Sequence, residues 1–537
     1  MGILDRLTAD AVYLRGVVRA LNLTTPIAKN PQRIFPQVIA EVAEKFGPAP
    51  ALMSSRERFS YAELNARANR YARWALQQEI HKGDTVCVLM GARPEYIALW
   101  IGITRVGGIV ALLNSNLTGT ALAHCINIAG PKHMIVADEL LETLAAARAE
   151  IYAEPTVWVH GPAVADLPRI DILLDACAGD ALAPADLPLL GIEDRALFIY
   201  TSGTTGLPKA ANLNHYRVML VAHAFAAVMN IKPSDRMYDC LPLYHTAGGL
   251  AAVGALLVGG GAVVVRESFS ASAFWDDVVR WNCTCFQYIG ELCRYLVNSP
   301  EHANERAHIL RLACGNGLRP EIWRKFKDRF RIPQILEFYA STEGNVGLFN
   351  LDGKEGAVGR IPWWLAHRFP VKIVRLDEER RHELRDERGF CIECAAGEAG
   401  EVIGKIVNDP SLPGSRFEGY ASSADTDRKL LHDAFSKGDV WFRTGDLMRK
   451  DARGYFYFVD RLGDTYRWKG ENVSTTEVER ALGRCEYVLE ANVYGVAVHG
   501  RDGRAGMAAI VAREDLDLDA LHTHLARQLP SYAMPVF

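Results

Sequence analysis

The chemistry of this chain begins in an eleven-residue segment, 200–210, that is rich in glycine and hydroxyl side chains. It follows the apolar run 196–199 and precedes a helical pattern that begins near Asn214. Glycines let successive backbone N–H groups turn toward one anion, hydroxyls donate further hydrogen bonds, and a lysine adds a positive charge. The segment therefore predicts a phosphate-binding loop, with the candidate ligands Thr201, Ser202, Gly203, Thr204, Thr205, Gly206 and Lys209.

This loop differs from the common phosphate loop of NTPases. That motif places Ser or Thr directly after its Gly-Lys pair, whereas Pro208 precedes Lys209 here and Ala210 follows it. A glycine cluster after a strand is by itself an ordinary loop about as often as it is a phosphate-binding loop. The prediction therefore depends on the whole segment and not on its glycines.

Three later segments occur in a fixed order after this loop. They are YASTEG at 339–344, RTGD at 443–446 and DRLGD at 460–464. Each is a common kind of turn when taken alone. Together with the loop, they resemble the motifs of the adenylate-forming superfamily, which contains acyl-CoA synthetases, peptide-synthetase adenylation domains and luciferases.

The resemblance implies that the chain joins a carboxylate to ATP. Lys209, Thr342 and Glu343 would be catalytic, and Glu343 would hold Mg²⁺, a cation that binds one or two carboxylates plus phosphate oxygens. Asp446 would accept hydrogen bonds from the ribose hydroxyls, and Arg461 would reach the nucleotide from the hinge at 461–464. The implied adenine contacts are Gly315, Asn316, Gly317 and Tyr339.

Four further strings narrow the resemblance to one branch. LPLYHT at 241–246, FQYIGE at 286–291, GNGLR at 315–319 and RWKGENVS at 467–474 resemble the fatty acid transport protein or very-long-chain acyl-CoA synthetase branch. A lone histidine in an apolar context is more often a core residue, so only the motif favours His245. The branch implies acyl contacts at His245, Tyr288 and Gly290, and CoA contacts at Lys469 and Gly470.

The sequence departs from the family in two places. Many relatives carry a charged residue where Gly463 stands, so the hinge is assigned to the whole of 461–464. Relatives also continue past 535–537 into a lysine that contacts the attacking carboxylate. The resemblance leaves that group unaccounted for, and we expect slow adenylation from the printed sequence.

The predicted reaction is ATP-dependent ligation of a long- or very-long-chain fatty acid to coenzyme A through an acyl-adenylate. ATP, Mg²⁺ and coenzyme A are the implied cofactors and co-substrates. Two alternatives stay open. One is a CoA ligase for a steroid or bile acid side chain, and the other is a protein that binds fatty acid and ATP with weak turnover.

Periodicity predicts an α/β fold in several units. Helices at 61–78 and 94–106 alternate with buried strands at 85–90 and 109–113, which favours a parallel sheet. We predict a large domain at 1–460, built from two α/β subdomains and a small β subdomain, and a hinged small α+β domain at 461–537. Residues 161–188, rich in Ala, Asp and Pro, predict a surface linker.

Composition limits the partners and the compartment. The chain has 537 residues, a net charge of −4 and eleven cysteines. A basic stripe or high pI would indicate nucleic-acid binding, and neither is present, so we predict no such partner. An odd cysteine count over a long chain favours a reducing cytosol over a disulfide framework. No feature of the sequence indicates an oligomeric state.

Two apolar segments have alternative interpretations. Charged residues interrupt the segment 1–21, which argues against a signal peptide. The apolar positions of this segment predict either a helix that docks on its own protein or a weak contact with the inner membrane surface. Residues 246–265 carry no charge but change character at 259–261, so we expect a buried helix, a turn and a strand. Small residues after His245 either leave room for an acyl chain or pack closely.

Overall fold

Alternating helices and strands build most of the chain. The structure is a computed structural model, and it describes residues 3–162, 167–201, 207–377, 382–407, 409, 415–462, 465–501, 503–512 and 516–537. The helices are α1 (Ile3–Lys29), α2 (Phe35–Phe46), α3 (Tyr61–Gln77), α4 (Pro94–Arg105), α5 (Gly119–Ala129), α6 (Leu141–Ala147), α7 (Ile170–Ala176), α8 (His215–Val228), α9 (Ala255–Gly259), α10 (Phe274–Arg280), α11 (Gly290–Asn298), α12 (Pro320–Phe330), α13 (Ser423–Asp427), α14 (Thr475–Gly483) and α15 (Leu518–Gln528). A π-helix (Ala247–Gly254) leads directly into α9.

The strands follow the same alternation up to residue 350 and are then mostly antiparallel. They are β1 (Pro50–Met53), β2 (Arg58–Ser60), β3 (Thr85–Leu89), β4 (Ile109–Leu112), β5 (His133–Ala137), β6 (Thr156–His160), β7 (Arg195–Thr201), β8 (Lys209–Asn214), β9 (Arg236–Asp239), β10 (Ala262–Val265), β11 (Cys285–Ile289), β12 (Leu312–Asn316), β13 (Gln334–Ala340), β14 (Gly347–Asn350), β15 (Gly359–Arg360), β16 (Val371–Val374), β17 (Ala399–Lys405), β18 (Leu430–His432), β19 (Val440–Lys450), β20 (Tyr455–Arg461), β21 (Thr465–Trp468), β22 (Glu471–Ser474), β23 (Val488–Ala497) and β24 (Arg504–Ala512).

Two of the sheets are largely parallel and form the two predicted α/β subdomains. One has the strand order β6-β5-β3-β4-β7-β8 and the other β14-β13-β12-β11-β9-β10-β1-β2. In each, an antiparallel strand closes an edge, as β8 does against β7. Buried apolar side chains fill both faces of the inner strands, which is typical of parallel sheets covered by helices. The α/β prediction is confirmed.

A third sheet has the order β15-β20-β19-β17-β16, with β18 paired to β19. It is antiparallel throughout and corresponds to the predicted β subdomain. After Arg461 the chain forms the hairpin β21–β22, then α14, the pair β23–β24 and α15. These elements share a core of their own around Val473, Val478, Leu482 and Leu525. The predicted small α+β unit is therefore present, while the boundary at 460/461 stays a prediction.

The linker prediction for 161–188 is partly wrong. It contains α7, in which Ile170 and Leu174 are fully buried. These two side chains lie one turn apart on the same helix face, so a short apolar helix docks on the body where composition alone indicated a loop. The expectation for 246–265 is confirmed, since a buried helical segment turns at Gly260 into β10.

Candidate active site

The phosphate-loop hairpin is the first element of the site. β7 and β8 pair in antiparallel register with Thr201 opposite Lys209. Ser202 to Gly206 lie outside the described residues. Lys209 is buried, and its Nζ lies 3.0 Å from Asp425 Oδ1. The cation predicted to bind phosphate therefore has a carboxylate partner here, which sequence reasoning missed.

Residues 418–421 attach to this hairpin as a short additional strand. Ala421 N donates to Ala210 O at 2.9 Å, and Asn212 N donates to Gly419 O at 3.0 Å. The pairing inserts Tyr420 between two predicted site residues: its ring centroid lies 5.7 Å from Lys209 Nζ, and its hydroxyl donates to Glu343 Oε1 at 2.6 Å. Tyr420 thus connects the phosphate-binding and metal-binding candidates.

The pKa of Tyr420 is raised, first by burial and then by the Glu343 carboxylate. The hydroxyl consequently stays protonated and remains a donor. Sequence reasoning did not single out Tyr420, because an aromatic residue after a glycine in an irregular segment has no specific spacing signal. Only the pairing of 418–421 with β8 reveals its role.

Glu343 lies in the loop between β13 and β14, and several contacts fix this loop. Buried Arg217 donates to Gly344 O, and Gly344 N donates to Ser341 Oγ at 3.1 Å. The hydroxyls of Thr342 and Thr246 lie 2.9 Å apart. These contacts hold the loop from α8 on one side and from the segment after His245 on the other.

The Glu343 carboxylate has the donor set that Mg²⁺ requires. It is 9% exposed, Tyr420 occupies Oε1, and no described residue donates a hydrogen bond to Oε2. A hard cation that keeps several waters and phosphate oxygens needs only one or two such carboxylates. The residues present therefore fit the metal that the family resemblance implies.

The predicted adenine loop follows the carboxyl end of β12 and depends on close backbone contacts. Gly317 has φ of +80°, in the left-handed region that favours glycine. A Cβ on Gly290 would overlap the carbonyl oxygen of Gly317, and one on Gly315 would overlap that of Tyr288. The two glycine-rich motifs, at 286–291 and 315–319, are therefore packed directly on one another.

Tyr288 supports this loop through Glu337, to which both Tyr288 and the loop donate hydrogen bonds. It is fully buried, and its hydroxyl donates to Glu337, which also accepts from Leu318 N at 3.0 Å. Burial raises the pKa of the Glu337 carboxyl to about 8, although its hydrogen bonds and the nearby Arg467 act in the opposite direction. A direct contact between Tyr288 and the acyl chain stays a prediction.

The candidate ribose residue lies where β13 and β19 approach. Asp446 is buried and opposite Arg461 in the β19–β20 register, and Arg461 Nε lies 3.2 Å from Asp446 Oδ1. The Tyr339 hydroxyl donates to Asp446 Oδ2. A carboxylate has about four lone-pair sites, so Asp446 can still accept from a ligand. Tyr339, Asp446 and Arg461 are thus brought together, and their contacts with the nucleotide stay predictions.

The hairpin β21–β22 places the CoA candidates beside the acyl candidates. Its turn consists of Lys469 and Gly470, with φ of +51° and +84°, and a Cβ on Gly470 would overlap Ile289. Glu471 Oε2 lies 3.5 Å from His245 Nε2. Burial favours a high pKa for Glu471, but the contact with His245 outweighs it and the pKa is lowered.

The small residues after His245 are packed against neighbouring backbone. A Cβ on Gly248 or Gly249 would meet the carbonyl oxygens of Pro242 or Leu243. On the next turns, a Cβ on Gly254 would lie 3.1 Å from Ala222 Cβ on α8. These contacts account for the three glycines by close packing. An acyl tunnel beside Ala252 stays a prediction.

Comparisons with known proteins agree with this geometry. Residues 39–403 match the family "AMP-binding enzyme", and 477–537 match "AMP-binding enzyme C-terminal domain". The chain is 42% identical over 513 residues to Long-chain fatty acid transport protein 1 of Homo sapiens, covering 94% of this chain and 78% of that protein. It is 39% identical over 517 residues to Long-chain fatty acid transport protein 2 of Rattus norvegicus, covering 95% and 82%.

Solved structures share the fold. A long-chain-fatty-acid-CoA ligase (FadD1) from Archaeoglobus fulgidus has a TM-score of 0.73 at 20% identity, covering 94% of this chain and 96% of its own. ATP-bound MatB from Rhodopseudomonas palustris has a TM-score of 0.65 at 25% identity, covering 93% and 94%. The chain therefore belongs to the AMP-binding enzyme family, in the branch that contains the fatty acid transport proteins.

We expect Asp425→Asn to strengthen ATP binding by a factor of about 2 to 10, the scale of a partly buried ion pair. The substitution removes the carboxylate that competes with phosphate for Lys209. It should also lower the Tm of the free protein, because the buried ammonium loses its partner. Calorimetric titration with ATP would measure the change in affinity. The control is Asp427→Asn, which changes an exposed aspartate on the same helix. Weaker ATP binding would mean that Asp425 orients Lys209 for the nucleotide.

A second prediction concerns pH. The folded chain retains the proton of Glu337 up to a pH of about 8, whereas the ordinary pKa of this carboxyl is 4.5. The folded state then binds more protons than the unfolded state in this window, so the stability contributed by Glu337 falls as pH rises from 4.5 to 8. Glu337→Gln, whose amide can accept from Leu318 N and donate to Tyr288, should flatten this decline in Tm. An unchanged slope would contradict the assignment.

Proposed function

We propose that the chain ligates a long- or very-long-chain fatty acid to coenzyme A at the expense of ATP, through an acyl-adenylate. One observation carries the proposal: Tyr420 contacts both Lys209 and Glu343 where three sheets meet. A buried cation, a fixed hydroxyl donor and a carboxylate whose second oxygen accepts no hydrogen bond from a described residue suit a triphosphate together with its Mg²⁺. The names of the relatives, long-chain fatty acid transport proteins, favour a long aliphatic acid as the second substrate.

In the first half-reaction, a carboxylate oxygen of the fatty acid attacks the α-phosphorus, and the bond to pyrophosphate breaks. Lys209 would neutralise phosphate charge after leaving Asp425, and the Thr342 hydroxyl, held by Thr246, would donate to the α-phosphate. Asp446 and Tyr339 would hold the nucleoside. Mg²⁺ bound through Glu343 would supply charge neutralisation of the triphosphate and of the leaving pyrophosphate.

In the second half-reaction, the CoA sulfur attacks the acyl carbonyl carbon, and AMP leaves with the bonding electrons of the C–O bond. The hairpin turn at Lys469 and Gly470 would guide the pantetheine end to this carbon. The thiol must lose its proton, and His245, which lies beside Glu471 at the hairpin, would accept it. The present arrangement of the hairpin suits this step, and adenylation would require it to rotate about 461–464.

A cavity of about 550 Å³ beside the hairpin would take the nucleotide end of coenzyme A. It lies between α11 and the loop after β23, and Arg501, Tyr295 and Phe269 line it. Arg294 Nη1 donates to Gly500 O at 2.9 Å across this junction. Guanidinium groups suit the phosphates of the ligand, and the stacked rings of Phe269 and Tyr295, with centroids 6.2 Å apart, form an apolar wall for the adenine.

We expect Glu343→Gln to lower the rate of AMP and acyl-CoA formation from palmitate by about 10² to 10³, because a neutral amide is a poorer metal ligand and leaves developing charge unmatched. The Tyr420 hydroxyl can still donate to the amide oxygen, so the fold should persist. Exposed Glu387→Gln is the matched control. Near wild-type turnover of the Glu343 variant would exclude this carboxylate as the metal ligand.

The same assay decides the substrate class. Palmitate, a C24 acid and cholate should be compared at equal concentration by mass spectrometry of the CoA thioesters. The proposal requires that the aliphatic acids yield thioester and AMP in equal amounts and that cholate is a poor substrate. Preference for cholate would favour a steroid-type ligase, and ATP binding without any product would favour a binding protein.

We also propose that α1 contacts a membrane surface from the cytosol. One face of α1 docks on the body through Tyr13, Gly16 and Ile27, as the docked-helix interpretation predicts. The opposite face exposes an apolar stripe of Leu7, Leu14, Val18 and Leu21. None of the helices in the described part of the chain combines the length and apolar character that crossing a bilayer requires.

The stripe can be tested without touching the docked face. Leu14→Asp with Val18→Asp should reduce cosedimentation with anionic lipid vesicles several-fold, because two apolar contacts become charged. Leu189→Asp, at an exposed leucine far from α1 in sequence, is the control. Equal sedimentation of all three proteins would remove α1 from the membrane contact.

A further inference from the structure

A second cavity, of about 450 Å³, lies at the edge of the eight-stranded sheet where β1 and β2 pair. Arg58, Arg236, Arg280 and Trp281 line it together with Phe59. Arg236 begins β9, whereas the nucleotide loops follow the carboxyl ends of the parallel neighbours β11 and β12. The cavity therefore lies at the amino-terminal ends of the parallel strands, whereas the candidate active site lies at their carboxyl ends.

Its three guanidinium groups have no carboxylate partner among the described residues. No described Asp or Glu oxygen lies within 4.0 Å of a side-chain nitrogen of Arg58, Arg236 or Arg280. The acidic residues near them in sequence have other partners. Asp235 pairs with Arg311, and Asp277 pairs with Arg266. Glu57 accepts from Glu95 N, Asp276 accepts from Asn304, and Glu63 caps α3 through Ser60. Three like charges thus line one cavity in a chain whose net charge is −4.

Trp281 fixes the arrangement of these arginines. The Cζ atoms of Arg58 and Arg280 lie 4.7 Å and 5.3 Å from the indole centroid. Arg236 Nη1 donates to the backbone oxygen of Trp281 at 3.0 Å. Trp281 itself is buried. Cation–π contacts of this kind orient a guanidinium at small entropic cost, so the donors are held ready before any ligand arrives.

We propose that this cavity binds a phosphate group, supplied by a soluble phosphorylated compound or by a lipid headgroup. Guanidinium groups that converge without carboxylates repel one another, a bound anion would offset this repulsion, and their planar N–H pairs match phosphate oxygens. A phosphate monoester or diphosphate carries the multiple negative charges that three guanidiniums favour, whereas a lone carboxylate carries one. Ser60 also lines the cavity.

Calorimetric titration with inorganic pyrophosphate tests the site. Wild type should show two classes of binding site, one in the phosphate loop and one here. Arg58→Gln with Arg280→Gln, at two exposed side chains, should weaken the second class at least about tenfold and leave the KM for ATP unchanged. The matched control is Arg324→Gln with Arg388→Gln, which removes the same charge from surface arginines that have carboxylate partners.

Three outcomes would overturn the proposal. The first is a single class of site in wild type, and the second is identical titrations of wild type and the Arg58/Arg280 variant. The third is an equal loss of pyrophosphate affinity in the control variant, which would indicate an unspecific effect of charge. Trp281→Phe should give an intermediate loss, since a smaller ring still contacts both guanidiniums. Vesicles of phosphatidylcholine with and without phosphatidate distinguish the sources. Phosphatidate-dependent cosedimentation that the Arg58/Arg280 variant loses would identify a headgroup, and its absence beside pyrophosphate binding would identify a soluble ligand.

Discussion

The central constraint on this molecule is that one anion must approach another: a fatty acid carboxylate attacks a phosphate of ATP. A site for this reaction needs cations and donors that are fixed before the substrates bind. We propose that the chain meets the constraint where three sheets approach, with Lys209 from the first, the Glu343 loop from the second, and Tyr420 from a strand that joins the third to the first. Asp425 pairs with Lys209 and balances its charge.

The small C-terminal unit depends on the same electrostatics. Arg467 of the hairpin lies against the adenine loop, since a Cβ on Gly317 would be 3.8 Å from its Nη1. Burial lowers its pKa, while Glu471 and Glu291 favour its charged form. The hairpin is thereby held over the acyl candidates by a cation from one unit among carboxylates of both. The rotation proposed between the half-reactions would break and remake these contacts.

Local sequence patterns predicted much of the fold. The strands β3 and β4 and the helices α3 and α4 lie within a residue of their predicted ends, because apolar periodicity and the Gly107–Gly108 stop are local signals. The motif residues Tyr339, Asp446 and Arg461 do converge. Tyr420, Asp425, Thr246 and Arg217 were not predicted, since each acts through a partner far away in sequence, such as Thr342 for Thr246. Such contacts depend on how the sheets pack against one another, which the local spacing of apolar residues does not predict.

The most direct test of the central claim follows the carboxylate oxygen. The protein should be incubated with ATP, coenzyme A and palmitate that carries ¹⁸O in both carboxyl oxygens, and the nucleotide product analysed by mass spectrometry. Attack of the carboxylate on the α-phosphate predicts AMP with one ¹⁸O and a thioester that retains the other. Unlabelled AMP, or ADP with label in inorganic phosphate, would contradict the acyl-adenylate route and with it the assigned roles of Lys209 and Glu343.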